Sequence, residues 1–286
     1  MLSILIVNWN TKDCLRACLA SLRAHPSQGE TEVIVVDNHS TDGSADMVAA
    51  EFPEVILIRS NSNLGYAAGN NLAIASAKGD FLLTLNPDTE VLPNTLDATL
   101  AEFSRPEVGV VACKLVGPDG QAQASVRGFP TLAGILGDVI GASKWWPNSA
   151  LGSYRLRNFD YARSQIAPQP MGTYLLFKRS ALEQVSEMPK AFDEQFPIFF
   201  NEVDLLYRLK LAGQNCWYTA ETKVRHLGGM STKQVRKSMI WESHQSLVRY
   251  LAKHRIGSSI FRALVCQLIL IGAWVRAKGK YEGFRA

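Results

Sequence analysis

Short unbroken apolar runs alternate with amphipathic stretches through the first hundred residues. Ser3–Val7, Val33–Val36, Val55–Ile58 and Phe81–Leu85 are four or five residues long, too short for buried helices and lacking the polar alternation of half-exposed strands. They read as strands buried on both faces, the mark of a parallel sheet. Between them Lys12–Arg23 places Leu15, Cys18, Leu19 and Leu22 on one helical face, Ala45–Phe52 has helical spacing, and Gly65–Ala77 is a helix of small residues. The β-α-β-α-β-α-β order predicts an α/β domain, doubly wound with right-handed crossovers. Farther on, Met171–Phe177 and Thr222–Arg225 resume strand patterns, and Leu205, Leu206, Leu209 and Leu211 mark a helix packed on the core. Residues 128–168 have no clean period; Trp145, Trp146, Tyr154, Phe159 and Tyr161 stand there among Gly, Ser and Arg. That stretch reads as a mobile segment or lid, its aromatics stacking on a ligand, resting on a membrane or packing beneath a long loop.

In doubly wound sheets, ligands bind beyond the carboxyl ends of the strands. Polar residues stand at each of those ends: Asn8 and Asn10, Asp37 and Asn38, Asn61 and Asn63, Asn86 and Asp88. Some residues there only form turns or cap helices, as Thr41 or Asp42 does; the set on one rim predicts a ligand site. No GxGxxG follows the first strand and no GxxxxGK[ST] occurs anywhere, which argues against a dinucleotide enzyme and a P-loop NTPase. A phosphate-bearing ligand would then need another counter-charge, and a divalent cation is the obvious one.

Composition adds limits. The chain has 286 residues, 47% hydrophobic and 20% charged, enough for a full core and unlike a disordered or disulfide-dense chain. Five cysteines (14, 18, 113, 216 and 266) include no CxxC pair and read as reduced, mostly buried thiols of a cytoplasmic protein. Met1 runs straight into the first strand with no basic n-region or cleavage site, so no signal peptide is expected. A net charge of +4 gives no reason to expect nucleic acid. It is unevenly spread: ten Lys and Arg against two acids after residue 235 give +8 there, leaving −4 for residues 1–235. Within that tail Ala263–Val275 is a nearly unbroken apolar run of thirteen, bracketed by Arg262 and Arg276. No stretch reaches the roughly 18–20 apolar residues of a spanning helix. Residues 260–286 therefore read as a helix lying on an anionic membrane surface; packing on the protein's own body, or in a homodimer seam, is the other reading.

Several ordered motifs belong together. Ile6-Val7-Asn8-Trp9-Asn10 is followed by Val35-Val36-Asp37-Asn38-His39-Ser40-Thr41-Asp42-Gly43-Ser44, then Asn63-Leu64-Gly65-Tyr66-Ala67-Ala68-Gly69-Asn70-Asn71 and Leu83-Thr84-Leu85-Asn86-Pro87-Asp88-Thr89. Later come Phe192-Asp193-Glu194, Asn201-Glu202-Val203-Asp204-Leu205 with Arg208 and Gly213, and His226 with Gly228, Gly229 and Ser231. In this order, over roughly residues 2–235, the chain resembles the family 2 (GT-A fold) inverting glycosyltransferases, and in particular the rhamnosyltransferase-like members that build bacterial cell-surface polysaccharides. The resemblance implies a GT-A domain over residues 1–235, its nucleotide-binding half about 1–115 and its acceptor half about 116–235. A helical, basic and apolar extension follows over 236–286.

The resemblance also implies roles. Asp88 is a metal ligand, in a family Asp-x-Asp motif that reads Asn86-Pro87-Asp88 here and keeps one carboxylate; His226 is the second ligand. The ion, Mn²⁺ or Mg²⁺, would bridge carboxylate and diphosphate and stabilise the leaving group. In place of the family's Glu-Asp-x-Asp stands Asn201-Glu202-Val203-Asp204. Glu202 is then the general base that takes the acceptor hydroxyl's proton, while Asp204, at a helix start that suits a carboxylate, is a structural acid or the alternative base. Asp37 accepts from the imide N–H of uracil or thymine, so the donor is UDP- or dTDP-linked. Asn8, Asn63, Asn70 and Asn86 position the nucleotide, Arg127 contacts diphosphate or acceptor, and Gly172-Thr173 lies near the acceptor pocket. The acceptor is a growing glycan, on a polyprenyl diphosphate carrier at the cytoplasmic face of the membrane. Two other readings stay open: a degenerate GT-A scaffold, suggested by the altered Asn201-Glu202 pair, and a sugar nucleotidyltransferase. The latter should carry a Gly/Arg/Lys-rich phosphate loop where Asn8-Trp9-Asn10-Thr11-Lys12-Asp13 stands.

Overall fold

In the computed structural model, which describes residues 1–228 and 236–279, the four predicted strands are β1 (Leu2–Asn8), β2 (Thr31–Asp37), β3 (Ile56–Arg59) and β4 (Phe81–Leu85). They run parallel in the order β3-β2-β1-β4, joined by α1 (Lys12–Ala24), α2 (Ser44–Glu51) and α3 (Gly65–Ser76). Every residue of β1 is buried because its side chains alternate between two cores. Leu2, Ile4 and Ile6 share one cluster with Leu15 and Leu19 of α1 and Val48 of α2, while Leu5 and Val7 share the other with Ala67, Ala73 and Ile74 of α3. Close approach explains the small residues of α3: a Cβ on Gly69 would lie 2.8 Å from Val7 Cγ1.

Beyond β4 the sheet becomes mixed. Its order continues β4-β10-β6-β11-β5, where β5 is Thr89–Val91, β6 Val108–Val116, β10 Tyr174–Lys178 and β11 Asn215–His226. β10 is antiparallel to both neighbours, β11 is parallel to β6, and β5 is antiparallel to β11. Between β5 and β6 lies α4 (Thr95–Ala101). Two short strands, β7 (Val126–Arg127) and β9 (Gln169–Pro170), pair with each other, and β8 (Gln165–Ile166) pairs with β11. β11 is three times as long as the predicted Thr222–Arg225 run, and its last residue, His226, pairs with Thr89 of β5. All five cysteines are free, with Cys18, Cys113 and Cys216 buried.

Two expectations need correction. The stretch 128–168 is not wholly irregular: α5 (Leu132–Val139) lies within it, its first turn capped by Thr131 Oγ1, which accepts from Gly134 N at 3.0 Å. Gly134 and Gly137 weaken its helical signal, yet both are needed, since a Cβ at either would run into Ser153 or Leu151. The last helix is also longer than the apolar run inside it. After α6 (Arg179–Glu183), α7 (Asn201–Leu211) and α8 (Arg236–Lys253), α9 spans Ser259–Ala277, long and apolar enough to cross a membrane by length and composition. Its inner face is not free, however. Val265 and Ile269 are buried with Leu132 and Ile135 of α5, Val203 of α7, and Tyr250 and Leu251 of α8. The extension thus shares a core with the rest of the protein.

Replacing Gly69 by Val should overpack the α3–β1 contact and lower the free energy of unfolding by roughly 1–3 kcal/mol, measured by chemical denaturation.

Candidate active site

The strand ends are built as a hydrogen-bonded frame. Asn8, at the end of β1 and fully buried, donates through Nδ2 to Asp37 Oδ1 and Ser40 Oγ, both at 3.2 Å, and accepts from Thr11 Oγ1 at 2.7 Å. The Ser40 amide donates to Asp37 Oδ2 at 3.0 Å. Asn8 is therefore engaged at both ends and orients Asp37 from beneath. Asn38 donates to Asn63 Oδ1 at 3.0 Å and to Gly65 O at 3.1 Å; Asn63 Oδ1 also accepts from Gly65 N at 3.0 Å, a turn that starts α3. Asn70, inside α3, donates to Tyr66 O at 2.9 Å and keeps a buried Oδ1 without a protein partner.

β5 pairing with β11 brings together two residues far apart in sequence. Leu227 N donates to Asp88 O at 3.0 Å, and His226 Nε2 lies 3.6 Å from Asp88 Oδ1 with the side chains only 7% and 8% exposed. Gln123 clamps the histidine twice: its Oε1 is 2.8 Å from Nδ1, and its Nε2 donates to the His226 carbonyl at 3.0 Å. An Nδ1–H donated to Gln123 leaves the Nε2 lone pair facing Asp88. Burial lowers the imidazole's pKa and the Asp88 charge partly offsets this. The ring thereby favours its neutral form, the one able to ligate a metal. Carboxylate and imidazole at this separation are a suitable donor pair for Mn²⁺ or Mg²⁺. Among the described residues no group of three or more His, Cys, Asp and Glu could hold an ion, so other positions would fall to the substrate's oxygens and water.

Glu202 lies at the start of α7, half-buried. Gly172 faces it so closely that a Cβ there would lie 3.3 Å from Glu202 Cγ. Tyr66 donates its hydroxyl to Gly172 O at 3.2 Å, and Asn86 N donates to Thr173 O at 3.0 Å. The Gly172-Thr173 pair thus links Glu202 with the strand end that carries Asp88. Desolvation pushes the Glu202 carboxyl up to about 7, opposed by hydrogen bonds from the helix start and by the Arg127 charge. Tyr66 is raised by burial and then by the charges of Glu202 and Asp88, so its phenol stays protonated between the two acids. Arg127, on β7, also lies over the Tyr154 ring at 5.9 Å.

Asp204 has the opposite fate. It is fully buried, its Oδ2 accepting from Arg208 Nε at 2.8 Å and its Oδ1 lying 2.6 Å from Lys253 Nζ and 2.8 Å from His254 Nε2. Desolvation would raise its pKa, but His254, Arg208 and Lys253 together hold it down to about 2. A carboxylate so committed is a poor proton acceptor, which argues against the alternative of Asp204 as base. Its work is to tie α7 to α8. Gln123, Lys253 and His254 lie outside every motif, and only tertiary structure reveals them; Tyr66 could have been found within the Asn63–Asn71 motif. Gly229 and Ser231 lie outside the described residues.

This fold and rim are those of a GT-A glycosyltransferase. Residues 3–185 match the sequence profile described as Glycosyl transferase family 2, and the chain belongs to that family, as the ordered motifs implied. The nucleotidyltransferase reading falls away. The chain is 30% identical over 271 residues to the N-acetylglucosaminyl-diphospho-decaprenol L-rhamnosyltransferase of Mycobacterium tuberculosis, covering 90% of this chain and 86% of that protein. It is 29% identical over 227 residues to the O-antigen biosynthesis protein RfbC of Myxococcus xanthus, covering 78% of this chain and 17% of that larger protein. In fold it is similar to the mannosyltransferase PcManGT of Pyrobaculum calidifontis in complex with GDP-Man and Mn²⁺, with a TM-score of 0.60, 16% identity, and coverage of 98% and 76% of the two chains.

The two acids of α7 carry a pH signature. Asp204 is depressed from 3.8 to about 2, so its contribution is present above pH 4 and lost as pH falls through 2. Asp204→Asn should cost roughly 2–3 kcal/mol at pH 7 by removing the carboxylate that Arg208, Lys253 and His254 share. Its deficit relative to the native chain should shrink between about pH 4 and 2, as read by urea denaturation across pH.

Proposed function

We propose that the protein transfers a sugar from a nucleotide-diphosphate donor to a hydroxyl of a lipid-linked glycan, inverting the anomeric centre. The observation that carries this reading is the meeting of Asp88 and His226, 3.6 Å apart, on the same rim as a desolvated Glu202. In it Asp37 accepts from the imide N–H of the base, held by Asn8 and the Ser40 amide. Asp88 and His226 hold Mn²⁺ or Mg²⁺, which when bound supplies Lewis-acid stabilisation of the leaving diphosphate. Glu202 takes the proton of the acceptor hydroxyl as it attacks from the opposite face. A carboxyl pushed up to about 7 is a stronger proton acceptor than an ordinary glutamate, and about half of it is ionised at neutral pH. Arg127, whose charge reaches Glu202, favours that ionised form, and in this reading it contacts donor or acceptor.

The rhamnosyltransferase relative, named for an N-acetylglucosaminyl-diphospho-decaprenol acceptor, supports rhamnose as the donor sugar and a polyprenyl-diphosphate-linked acceptor. It leaves dTDP and UDP to experiment. Such an acceptor is presented at a membrane, and α9, docked on one side and apolar on the other, supports peripheral attachment through residues 260–286 at the cytoplasmic face. The degenerate-scaffold reading rests on Asn201 replacing an acid.

Thermal melts with dTDP or UDP, each with Mn²⁺, Mg²⁺ or EDTA, test the donor site, because a ligand of the native state raises the melting temperature. One nucleotide should stabilise in a metal-dependent way, and Asp88→Ala should abolish that shift. Glu202→Gln should keep the shift but lose about 10²–10⁴-fold in turnover. In the native enzyme kcat/KM should climb with pH through the range where Glu202, raised to about 7, ionises, and the residual activity of Glu202→Gln should lack that limb. Stabilisation without turnover in the native chain would favour the scaffold; full activity of Glu202→Gln would remove the assigned base.

A further inference from the structure

The outer side of α9 is not the only exposed apolar surface among the described residues. α5 packs on α9 through Leu132 and Ile135, and its far end turns its apolar residues outward. Val139 and Ile140 are exposed, and Trp145 and Trp146 in the following turn are 81% and 59% exposed. The turn is held in place: Arg155 grips both carboxylate oxygens of Asp138 at 2.7 and 2.8 Å, and the Trp145 and Trp146 amides both donate to Ala142 O at 3.0 Å. On α9, Ile260, Leu264, Leu268, Ile271 and Trp274 are likewise exposed, on the side away from buried Val265, Ile269 and Ala273. Large apolar side chains held in water in this way mark an interaction surface.

Charge selects the occupant. Residues 255–279 carry four cations (Arg255, Arg262, Arg276 and Lys278) and no acid, and residues 139–150 carry Lys144 and no acid. Lys278 Nζ stacks on the Trp274 ring at 3.6 Å, joining a cation to an indole at the helix end. In an isologous dimer the same patch meets itself, so these cations would face one another. An anionic bilayer instead neutralises them while taking up the indoles at its headgroup level.

We propose that Val139–Trp146 forms a second membrane contact beside α9, so that the protein docks on anionic lipid through two elements. The proposal rests on the membrane-surface reading of residues 260–286 and adds to it a contact from within the catalytic domain. One contact leaves rotation about α9 free; two fix which way the rim faces the bilayer.

Flotation of the full chain with vesicles tests this. It should float with phosphatidylcholine–phosphatidylglycerol vesicles and much less with phosphatidylcholine alone, and salt should weaken binding. Trp145→Ser/Trp146→Ser should reduce the bound fraction about fivefold or more, with unchanged melting temperature and unchanged transfer to a water-soluble acceptor. Leu264→Ser/Ile271→Ser should reduce binding as well. If the tryptophan variant binds like the native chain while the α9 variant does not, the second contact is overturned and the α9 reading stands. If the native chain ignores both vesicles and sediments as a dimer, both fail and the surface is a seam between copies.

Discussion

Two carboxylates sit two positions apart at the head of α7, Asp204 fully buried and Glu202 half-buried. Removing a charge from water costs several kcal/mol unless other charges replace the lost hydration, and here only Asp204 has cations in direct contact. Asp204 is met by Arg208 from its own helix, by Lys253 at the end of α8 and by His254 just after it. Glu202 faces Gly172 and the more distant charge of Arg127. Their pKa values separate accordingly, to about 2 and about 7. The signs in stability are opposite as well. Asp204 stabilises the fold wherever it is ionised, whereas a carboxyl raised in the native state from 4.5 to about 7 loses its contribution as pH rises through that range. The well-anchored acid supports the strained one: the ion cluster holds the helix whose first turn keeps Glu202 desolvated.

The meeting of Asp88 and His226 depends on strand pairing instead. Asp88 follows β4, the last of the four adjacent parallel strands β3-β2-β1-β4, and His226 ends β11, on the far side of β10 and β6 in the sheet. Only because β5 turns back and pairs with β11 do Thr89 and His226 come into register. Gln123, from the loop after β6, then fixes the ring. Glu202 reaches the same rim by another route, through the Gly172-Thr173 segment before β10. A side chain at 172 would push on the Glu202 carboxyl, and Gly removes that obstacle.

How much of this could be read from sequence follows the range of the interactions involved. The parallel half was legible because each strand is a local apolar run, and Phe81–Leu85 falls on β4 residue for residue. The rim was legible because polar residues follow each parallel strand, and the motif order singled out Asp88 and His226, which the fold brings together. Asn8 was placed on the rim, but its burial beneath Asp37 depends on side-chain bonds that no spacing reveals. α5 was missed because its glycines answer to Ser153 and Leu151, partners outside the helix. α9 was judged by its unbroken apolar run, while the helix gains its length from flanking Ser259 to Arg262, where Ile260 and Phe261 continue the apolar side. The choice between Glu202 and Asp204 stayed open in sequence because it turns on Lys253 and His254, some fifty residues on.

Those same two residues join the chemistry to the periphery. The end of α8 and the turn after it contribute Lys253 and His254 to the ion cluster of α7, and α8 contributes Tyr250 and Leu251 to the apolar cluster that holds α5 and α9. Lys253 reaches one acid more, Asp193, at 2.7 Å. A displacement of α8 would therefore uncover Asp204, with a cost that grows because a buried carboxylate cannot be left without its cations. The helices that present apolar surface to the outside and the helix that presents Glu202 to the rim are thus coupled through a polar contact that tolerates little movement. On the proposed reading, with a lipid-linked acceptor and Glu202 as base, this shared α8 contact would tie the orientation of the outer helices to that of Glu202.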